Sequence, residues 1–260
     1  LVRMAVAKVA LMEPLTETEL NINQRALVVG GGISGMAAAL SLSGQGYEVC
    51  LVEREPFLGG QGSLLFRTWK GEDVQMNLSE MIEKIQSHPN IDLRLNTELE
   101  GVEGFVGNFK SRLLSEGREE QVEHGVAVIA TGAFEARPHE YLYGEDERVV
   151  THLELDQRFM RNDPALKEMK SAVFIQCVGS REPDRPYCSR VCCSHAMESA
   201  LHLKKLNPQM RVVVLYRDIR TYGEREYLYR EARMAGVLFI PYSVDRKPRV
   251  FTDAGDLKIE

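Results

Sequence analysis

Ala26-Leu-Val-Val-Gly-Gly-Gly-Ile-Ser-Gly35 is the stretch that decides the fold of this 260-residue chain. Ala26 to Val29 suit a short buried strand, and the glycines that follow match G-x-G-x-x-G at Gly30, Gly32 and Gly35. Each glycine has its own mechanical duty in a dinucleotide fold. Gly30 permits a tight turn, Gly32 lets the backbone approach a pyrophosphate, and Gly35 lets a helix lie close on the strand. Ile33 and Ser34 open that helix, where unpaired N–H groups and the positive dipole end favour an anion. Small residues from Ser34 to Gly44 predict the helix and Glu48 to Glu53 a second strand, which completes a βαβ unit. Glu53 ends that strand where its carboxylate can accept hydrogen bonds from an adenosine ribose, with Arg54 beside it.

Upstream, the pattern from Leu1 to Leu15 puts Val2, Val6, Val9 and Met12 on one helical face, stops at Pro14, and is expected to pack on a neighbour. Downstream, residues 78–87 read as a helix. Three alternating stretches between 91 and 125 suit an antiparallel meander that runs into an apolar strand, Val126 to Ala130. A polar stretch at 158–170, with Asn162-Asp-Pro164, reads as a domain junction. Beyond it the βα alternation restarts: strand Ala172 to Gln176, a cysteine-rich loop, helix Ser194 to Leu206 and strand Arg211 to Tyr216. A helix at Glu224 to Ala235, a strand at Leu238 to Ile240 and a hairpin turning at Asp253-Ala-Gly255 follow. The expected fold is α/β. An N-terminal helical extension (1–22) precedes a Rossmann-like dinucleotide-binding domain of βαβ plus meander (23–160). A second Rossmann-like βαβ domain (161–260) carries the cysteine loop and stops in a strand, so it reads as truncated.

Composition narrows the function. With 44% hydrophobic residues the chain can bury two cores, and its net charge of −6, with Lys and Arg scattered singly, advertises no nucleic-acid surface. No apolar run reaches the roughly 18 residues of a membrane span, and no signal-peptide order opens the chain, so a cytoplasmic protein is expected.

FAD and NAD share the glycine fingerprint, and three later features favour FAD. Gly59-Gly60-Gln61 follows the acidic strand end, a meander follows the βαβ unit, and Ala130-Thr131-Gly132-Ala133 closes the apolar strand. Together these resemble the two-dinucleotide flavoproteins, in which a glycine pair follows the second strand and an A-T-G segment passes near the flavin.

Where a nicotinamide-binding unit would carry its own glycines, the second unit reads Cys177-Val-Gly-Ser-Arg-Glu-Pro-Asp-Arg-Pro-Tyr-Cys188-Ser-Arg-Val-Cys192-Cys193. Four thiols are expected to converge on the mouth of one helix, where the dipole and Arg181, Arg185 and Arg190 favour thiolates and an anionic [4Fe–4S] cluster. The spacing C-x10-C-x3-C-C is not a ferredoxin run, so a zinc site, a redox disulfide between Cys188 and Cys192, and inert thiols stay open as readings. Cys50, inside a strand, reads as packing. His195 reads as a helix-surface residue and the other histidines share no spacing. Trp69 reads as core filling before flavin cover.

Five segments resemble the heterodisulfide reductase A-subunit family: ALVVGGGISGMAAALSL (26–42), YEVCLVEREPFLGG (47–60), HPNIDLRLNTELEGVEGFVGNFK (88–110), VIATGA (128–133) and VFIQCVGSREPDRPYCSRVCCSHAMESAL (173–201). The resemblance implies an FAD-containing oxidoreductase subunit of thioredoxin-reductase-like fold that passes electrons between flavin and iron–sulfur clusters. In methanogens such a protein bifurcates electrons in a complex that reduces the coenzyme M–coenzyme B disulfide. It implies Cys177, Cys188, Cys192 and Cys193 as ligands of the [4Fe–4S] cluster. It also implies partner subunits of the iron–sulfur and hydrogenase or dehydrogenase type, with a homodimer as a further option. The family's ferredoxin insertion between Lys110 and Val126, and its distal G-D segment, are not found in these residues. Two other functions remain in view: an NAD(P)H-dependent disulfide reductase using a cysteine pair, and a zinc-stabilised scaffold subunit.

Overall fold

An apolar four-residue strand flanked by glycine can be covered on both faces, and β1 (Ala26–Val29) occupies such a position: Leu27 and Val28 have no solvent exposure. In the computed structural model, which describes residues 1–13 and 19–260, β1 is the centre of a parallel sheet. β2 (Val49–Val52) lies on one side, followed by β3 (Ile91–Arg94), and β7 (Val126–Ile129) lies on the other. All three pairings are parallel, with Leu27 opposite Cys50 and Ala127. β7 is an edge strand, and its Val126 and Ile129 are 50% and 64% exposed.

One face of the sheet is covered by α2 (Ile33–Gly44) and α3 (Val74–Ser87), whose Met36, Ala39, Leu78 and Ile85 pack on Ala26, Val28, Val49 and Leu51. Strand alternation sends Leu27, Cys50 and Val52 to the other face, against Leu113 and Val122 of a meander. That meander is β4 (Thr97–Phe105), β5 (Asn108–Ser115) and β6 (Arg118–His124), all antiparallel.

Two sequence expectations change here. The meander does not begin at residue 91: Ile91–Arg94 joins the parallel sheet as β3, and the chain turns at Asn96, which takes a left-handed φ of +50°. Asp92 on β3 is bound by Arg25 at 2.7 Å and Arg94 at 3.0 Å, which ties this edge to the entry of β1. The helix expected at 78–87 starts earlier, at Val74, because the Asp73 carboxylate accepts the Met76 N–H at 3.0 Å.

A second parallel sheet has the order β10-β9-β8, from β8 (Ser171–Ile175), β9 (Arg211–Tyr216) and β10 (Leu238–Pro241). α6 (Cys192–Leu206) and α7 (Glu226–Met234) are the connections, and Ala196, Met197, Ala200 and Leu203 of α6 form the middle of its core. The polar stretch 158–170 is more ordered than its composition suggests. α4 (His152–Met160) is capped by a reciprocal Thr151–Glu154 box, α5 (Ala165–Glu168) follows, and Phe159 and Leu166 are buried in the second core. β11 (Val250–Asp253) and β12 (Asp256–Ile259) form the expected hairpin, with Ala254 and Gly255 both at positive φ, as a two-residue type I′ turn requires.

α1 (Val2–Ala10) buries none of its residues. Val2, Val6, Val9 and Met12 are all exposed, and the expected stop at Pro14, with Leu15, lies outside the described residues.

In the meander, His124 is fully buried, with Nε2 2.7 Å from Ser111 Oγ and Nδ1 3.1 Å from the Val126 carbonyl. A neutral ring satisfies both contacts, by donating from Nδ1 and accepting at Nε2. Burial pushes its pKa below the usual 6.5. The unfolded chain therefore takes up this proton first as pH falls, so stability present above about pH 6.5 is lost below it, at up to ~1.4 kcal/mol per pH unit. Urea unfolding between pH 7.5 and 5 is expected to show this loss, and His124→Gln to flatten it.

Candidate functional site

The glycine loop can be judged by what a side chain would meet at each position. A Cβ on Gly35 would lie 1.8 Å from the Gly30 carbonyl oxygen, so the first turn of α2 rests on the backbone of the turn before it. Gly30 has φ of +112°, and a Cβ there would meet the Ala130 carbonyl oxygen at 2.3 Å. Gly32 differs: nothing lies within 4 Å of its Cβ position. The chain itself fills the space at Gly30 and Gly35 and leaves it open at Gly32, at the N-terminus of a 12-residue helix. Ile33 and Ser34 in that first turn are solvent-accessible.

Glu53 leaves the end of β2 and reaches back to the loop. Its Oε2 accepts the Gly31 N–H at 2.6 Å and its Oε1 the Glu55 N–H at 2.9 Å. A carboxylate has about four acceptor positions, so two remain for a sugar hydroxyl. The glycine pair is stitched to the same place: the Gly59 N–H donates to the Gly31 carbonyl at 2.9 Å, and a Cβ on Gly60 would sit 3.2 Å from the Gly32 Cα. The Gln61 side chain donates to the Ala133 carbonyl, which draws the 130–133 segment to the turn at Gly60–Leu64. The Ala130 N–H donates to the Val29 carbonyl at 2.8 Å, and Thr131-Gly132 continue from there with Gly132 at φ +67°. The Arg54 guanidinium lies at the edge of this group, 4.9 Å from the Phe134 ring and 3.4 Å from the Glu55 carboxylate. The residues read from sequence as a dinucleotide site are thus brought together, with Arg54 at their margin. Space over Gly32, a helix N-terminus and a carboxylate with free acceptor positions fit the pyrophosphate and ribose of FAD.

The cysteine loop occupies the equivalent place after β8. Cys177 takes a φ of +63°, and the Arg217 guanidinium at the end of β9 holds its turn by donating to the carbonyls of Cys177 at 3.2 Å, Arg181 at 3.0 Å and Ser180. Three sulfurs accept hydrogen bonds: Cys177 from Arg181 Nη1 at 3.9 Å, Cys188 from the Arg190 N–H at 3.4 Å, and Cys192 from the Ser189 hydroxyl at 3.5 Å. Cys192 and Cys193 open α6 as a pair. The Cys193 S–H and the Ser189 hydroxyl hold the Cys192 thiol well below the usual range, and that same pairing together with burial pushes Cys193 up. Among the described residues no three His, Cys, Asp or Glu side chains are gathered as a metal ion requires, and Cys193 turns inward toward the Asp218 carbonyl at 3.7 Å. The donor set still fits a thiolate-ligated centre: four free thiols, three already hydrogen-bonded at sulfur, at a helix N-terminus. Cys50 is fully buried and pushed up to about 11, as a packing residue should be.

Sequence reading missed a histidine pair. His195 does not simply face solvent: its Nε2 lies 3.0 Å from Oδ1 of the buried Asp156, and its ring stacks on His152 at 4.9 Å. His152 also stacks on Phe174. The two histidines are far apart in the chain, so no local spacing announces them. Trp69 packs on the second core, and with Ser194, His195 and Glu198 it lines a cavity of about 130 Å³.

The profile of the pyridine nucleotide-disulphide oxidoreductases matches residues 24–175, and the chain belongs to that family of FAD-dependent oxidoreductases. Within it, the chain is similar to the A subunits of heterodisulfide reductases. It is 31% identical to the second iron-sulfur A subunit of the CoB–CoM heterodisulfide reductase of Methanopyrus kandleri, over 92% of this chain and 51% of that protein. It is 28% identical to the A subunit of the H2:CoB–CoM heterodisulfide, ferredoxin reductase of Methanothermobacter marburgensis, over 92% and 50%. The chain thus spans about half the length of the curated relatives it matches. Among solved structures, the thioredoxin reductase of Lactococcus lactis shares the fold with a TM-score of 0.54 at 16% identity, over 91% of this chain and 74% of that one. No helix among the described residues is long and apolar enough to cross a membrane.

The glycine geometry predicts opposite outcomes from one substitution type. Gly30→Ala and Gly35→Ala should each cost the apoprotein at least ~2 kcal/mol through overpacking. Gly32→Ala should leave its melting temperature unchanged; calorimetry of the flavin-free protein checks both.

Proposed function

We propose that this chain is the electron-transfer core of a heterodisulfide-reductase-like complex of the cytoplasm, with FAD in the first βαβ unit and a [4Fe–4S] cluster at the start of the second. The observation that carries it is the comparison of the two units: both present a strand, a loop and a helix N-terminus, but only the first has a pyrophosphate cradle, and the second has four thiols in its place. Gly30, Gly32, Ile33, Ser34 and Gly35 would receive the pyrophosphate, and Glu53 the adenosine ribose. Gly60, Gln61, Ala130, Thr131 and Gly132 would border the rest of the FAD, and Arg54 would rim it. Cys177, Cys188, Cys192 and Cys193 would ligate the cluster, which requires the loop carrying Cys188 to close on the pair that opens α6. FAD supplies one- and two-electron chemistry and the cluster single-electron transfer toward partner iron–sulfur and hydrogenase- or dehydrogenase-type subunits. This assignment asks for no general acid or base. The units are proposed to divide as an extension (1–22), an FAD domain (23–160) and a cysteine-loop domain (161–260), with α4 as the part of the middle segment that packs across to the second core.

A second reading, thiol–disulfide chemistry, rests on Cys192 at the start of α6, where the Ser189 hydroxyl donates to its sulfur at 3.5 Å and its thiol pKa is lowered. Anaerobic purification with metal analysis and electron paramagnetic resonance separates the two. The cluster reading expects about four iron atoms per chain. It also expects that Cys192→Ser removes both the iron and the absorbance at roughly 400 nm typical of iron–sulfur centres. Zinc without iron, or a metal-free protein that titrates a disulfide, would overturn it. Gly32→Ala should weaken FAD binding at least about tenfold, a loss of ~1.4 kcal/mol, with iron retained.

A further inference from the structure

Segment 65–69, which follows the turn at the glycine pair, is fixed against the second core at several points. The Phe66 N–H donates to Oδ2 of the buried Asp156 at 3.0 Å, and the Phe66 ring lies 5.5 Å from that of Phe159 and 4.8 Å from that of His202. The Tyr227 hydroxyl donates to the Trp69 carbonyl at 3.1 Å, and the Gln75 side chain donates to the Leu65 carbonyl at 2.7 Å. Held in this way, the segment stands off from α6 and leaves between them the cavity of about 130 Å³. That space takes about ten water-sized spheres.

The cavity is apolar in part and charged in part. Leu65, Val191 and the Trp69 ring supply apolar wall. The His195 ring is a fixed wall, since its Nε2 is engaged by Asp156. Glu198 is the one acid among the lining residues; burial raises its pKa above the usual 4.5, and the Arg67 charge opposes that shift. Arg67 thus answers Glu198. Arg225, just before α7, holds its guanidinium 5.3 Å from the Trp69 ring and has no counter-charge among the lining residues.

Buried polar side chains almost always find partners, so the exceptions carry information. Among the described residues, buried atoms of Gln176, Arg217 and Arg25 and the Ser194 hydroxyl have none, and Ser194 is the one of these that lines the cavity. It is 4% exposed and sits in the first turn of the 15-residue α6, where the positive end of the helix favours an anion.

The geometry points to a binding site for a small carboxylic acid between segment 65–69 and α6, with the carboxylate taken by the Ser194 hydroxyl and the Arg225 guanidinium and a short aliphatic body lying against Leu65, Val191 and Trp69. A guanidinium pairs well with a carboxylate, and a few placed polar groups in an apolar concavity are the usual make-up of a small-molecule site. The inference stands apart from the cluster reading, because none of these contacts involves a cysteine.

Trp69 is the single tryptophan of the chain, so its fluorescence reports on the cavity directly. The test titrates the full chain with butyrate, and in parallel with acetate, butylammonium and inorganic phosphate, while tryptophan emission is recorded. Butyrate is expected to give a saturable change. Acetate should need a concentration at least about tenfold higher, because it lacks the methylenes that the apolar wall would bury. Butylammonium should give no change. Ser194→Ala should weaken butyrate binding about tenfold without lowering the melting temperature, since it removes a buried group that has no partner in the empty site. Arg225→Gln should weaken it at least as much, and if that variant does not fold, Ser194→Ala decides. An absent or non-saturable response to butyrate, an equal response to butylammonium, or parental affinity in Ser194→Ala would overturn the inference. Phosphate binding as tightly as butyrate would overturn it too, by revealing a bare anion site that makes no use of the apolar wall.

Discussion

A carbonyl oxygen sits where a methyl group would have to be: at Gly35, a Cβ would lie 1.8 Å from the oxygen of Gly30. That contact fixes how steeply α2 leaves β1, and the rest of the first unit follows from it. With the helix this close, Met36 and Ala39 reach Val28 and Val49 to seal one face of the sheet. The Gly31 N–H is presented to Glu53 and the Gly31 carbonyl to Gly59, so three separate segments meet at one loop. Ala130 closes the arrangement from the far strand. A fingerprint that sequence comparison treats as a ligand motif is here first a packing requirement, met by Gly30 and Gly35, with Gly32 left to face outward.

The second unit repeats the strand–loop–helix path with a different solution at its mouth. No glycine brings helix and strand together there. Arg217 does the equivalent work by anchoring the loop's carbonyls to the end of β9, and the helix begins directly with a cysteine pair. A loop held by side-chain donors can carry residues that a glycine loop cannot, including Cys177 and Arg181 in left-handed conformations. The same topology thus presents an anion cradle in one unit and nucleophilic sulfur in the other.

Local order was the legible part of the sequence. The strand–glycine–helix run, the hairpin at Asp253-Ala-Gly255 and the second βαβ unit all announce themselves through residues close in the chain, and each element formed within a few residues of its expected bounds. What escaped depends on distant partners. Ile91–Arg94 alternates like a meander strand, but Asp92 meets Arg25, 67 positions earlier, and the strand goes to the parallel sheet. The end of α4 and all of α5 were hidden inside a polar stretch because the apolar residues there, Phe159 and Leu166, find a core supplied by α6. The His152–His195 stack and the unpaired atoms of Gln176 and Ser194 leave no trace in spacing. Of the four cysteines, Cys192 and Cys193 open α6, and their order in the chain gives no sign that Cys193 turns inward.

β7 has a bearing on how the chain behaves in bulk. It runs parallel to β1 and, among the described residues, has no strand on its outer side, with Val126 and Ile129 exposed and Phe134 just beyond them. Exposed strand edges with apolar flanks recruit other strands unless charge or proline blocks them, and this edge carries neither. The short strand at the rim of the sheet therefore offers a place for a further strand to add, independent of any cofactor.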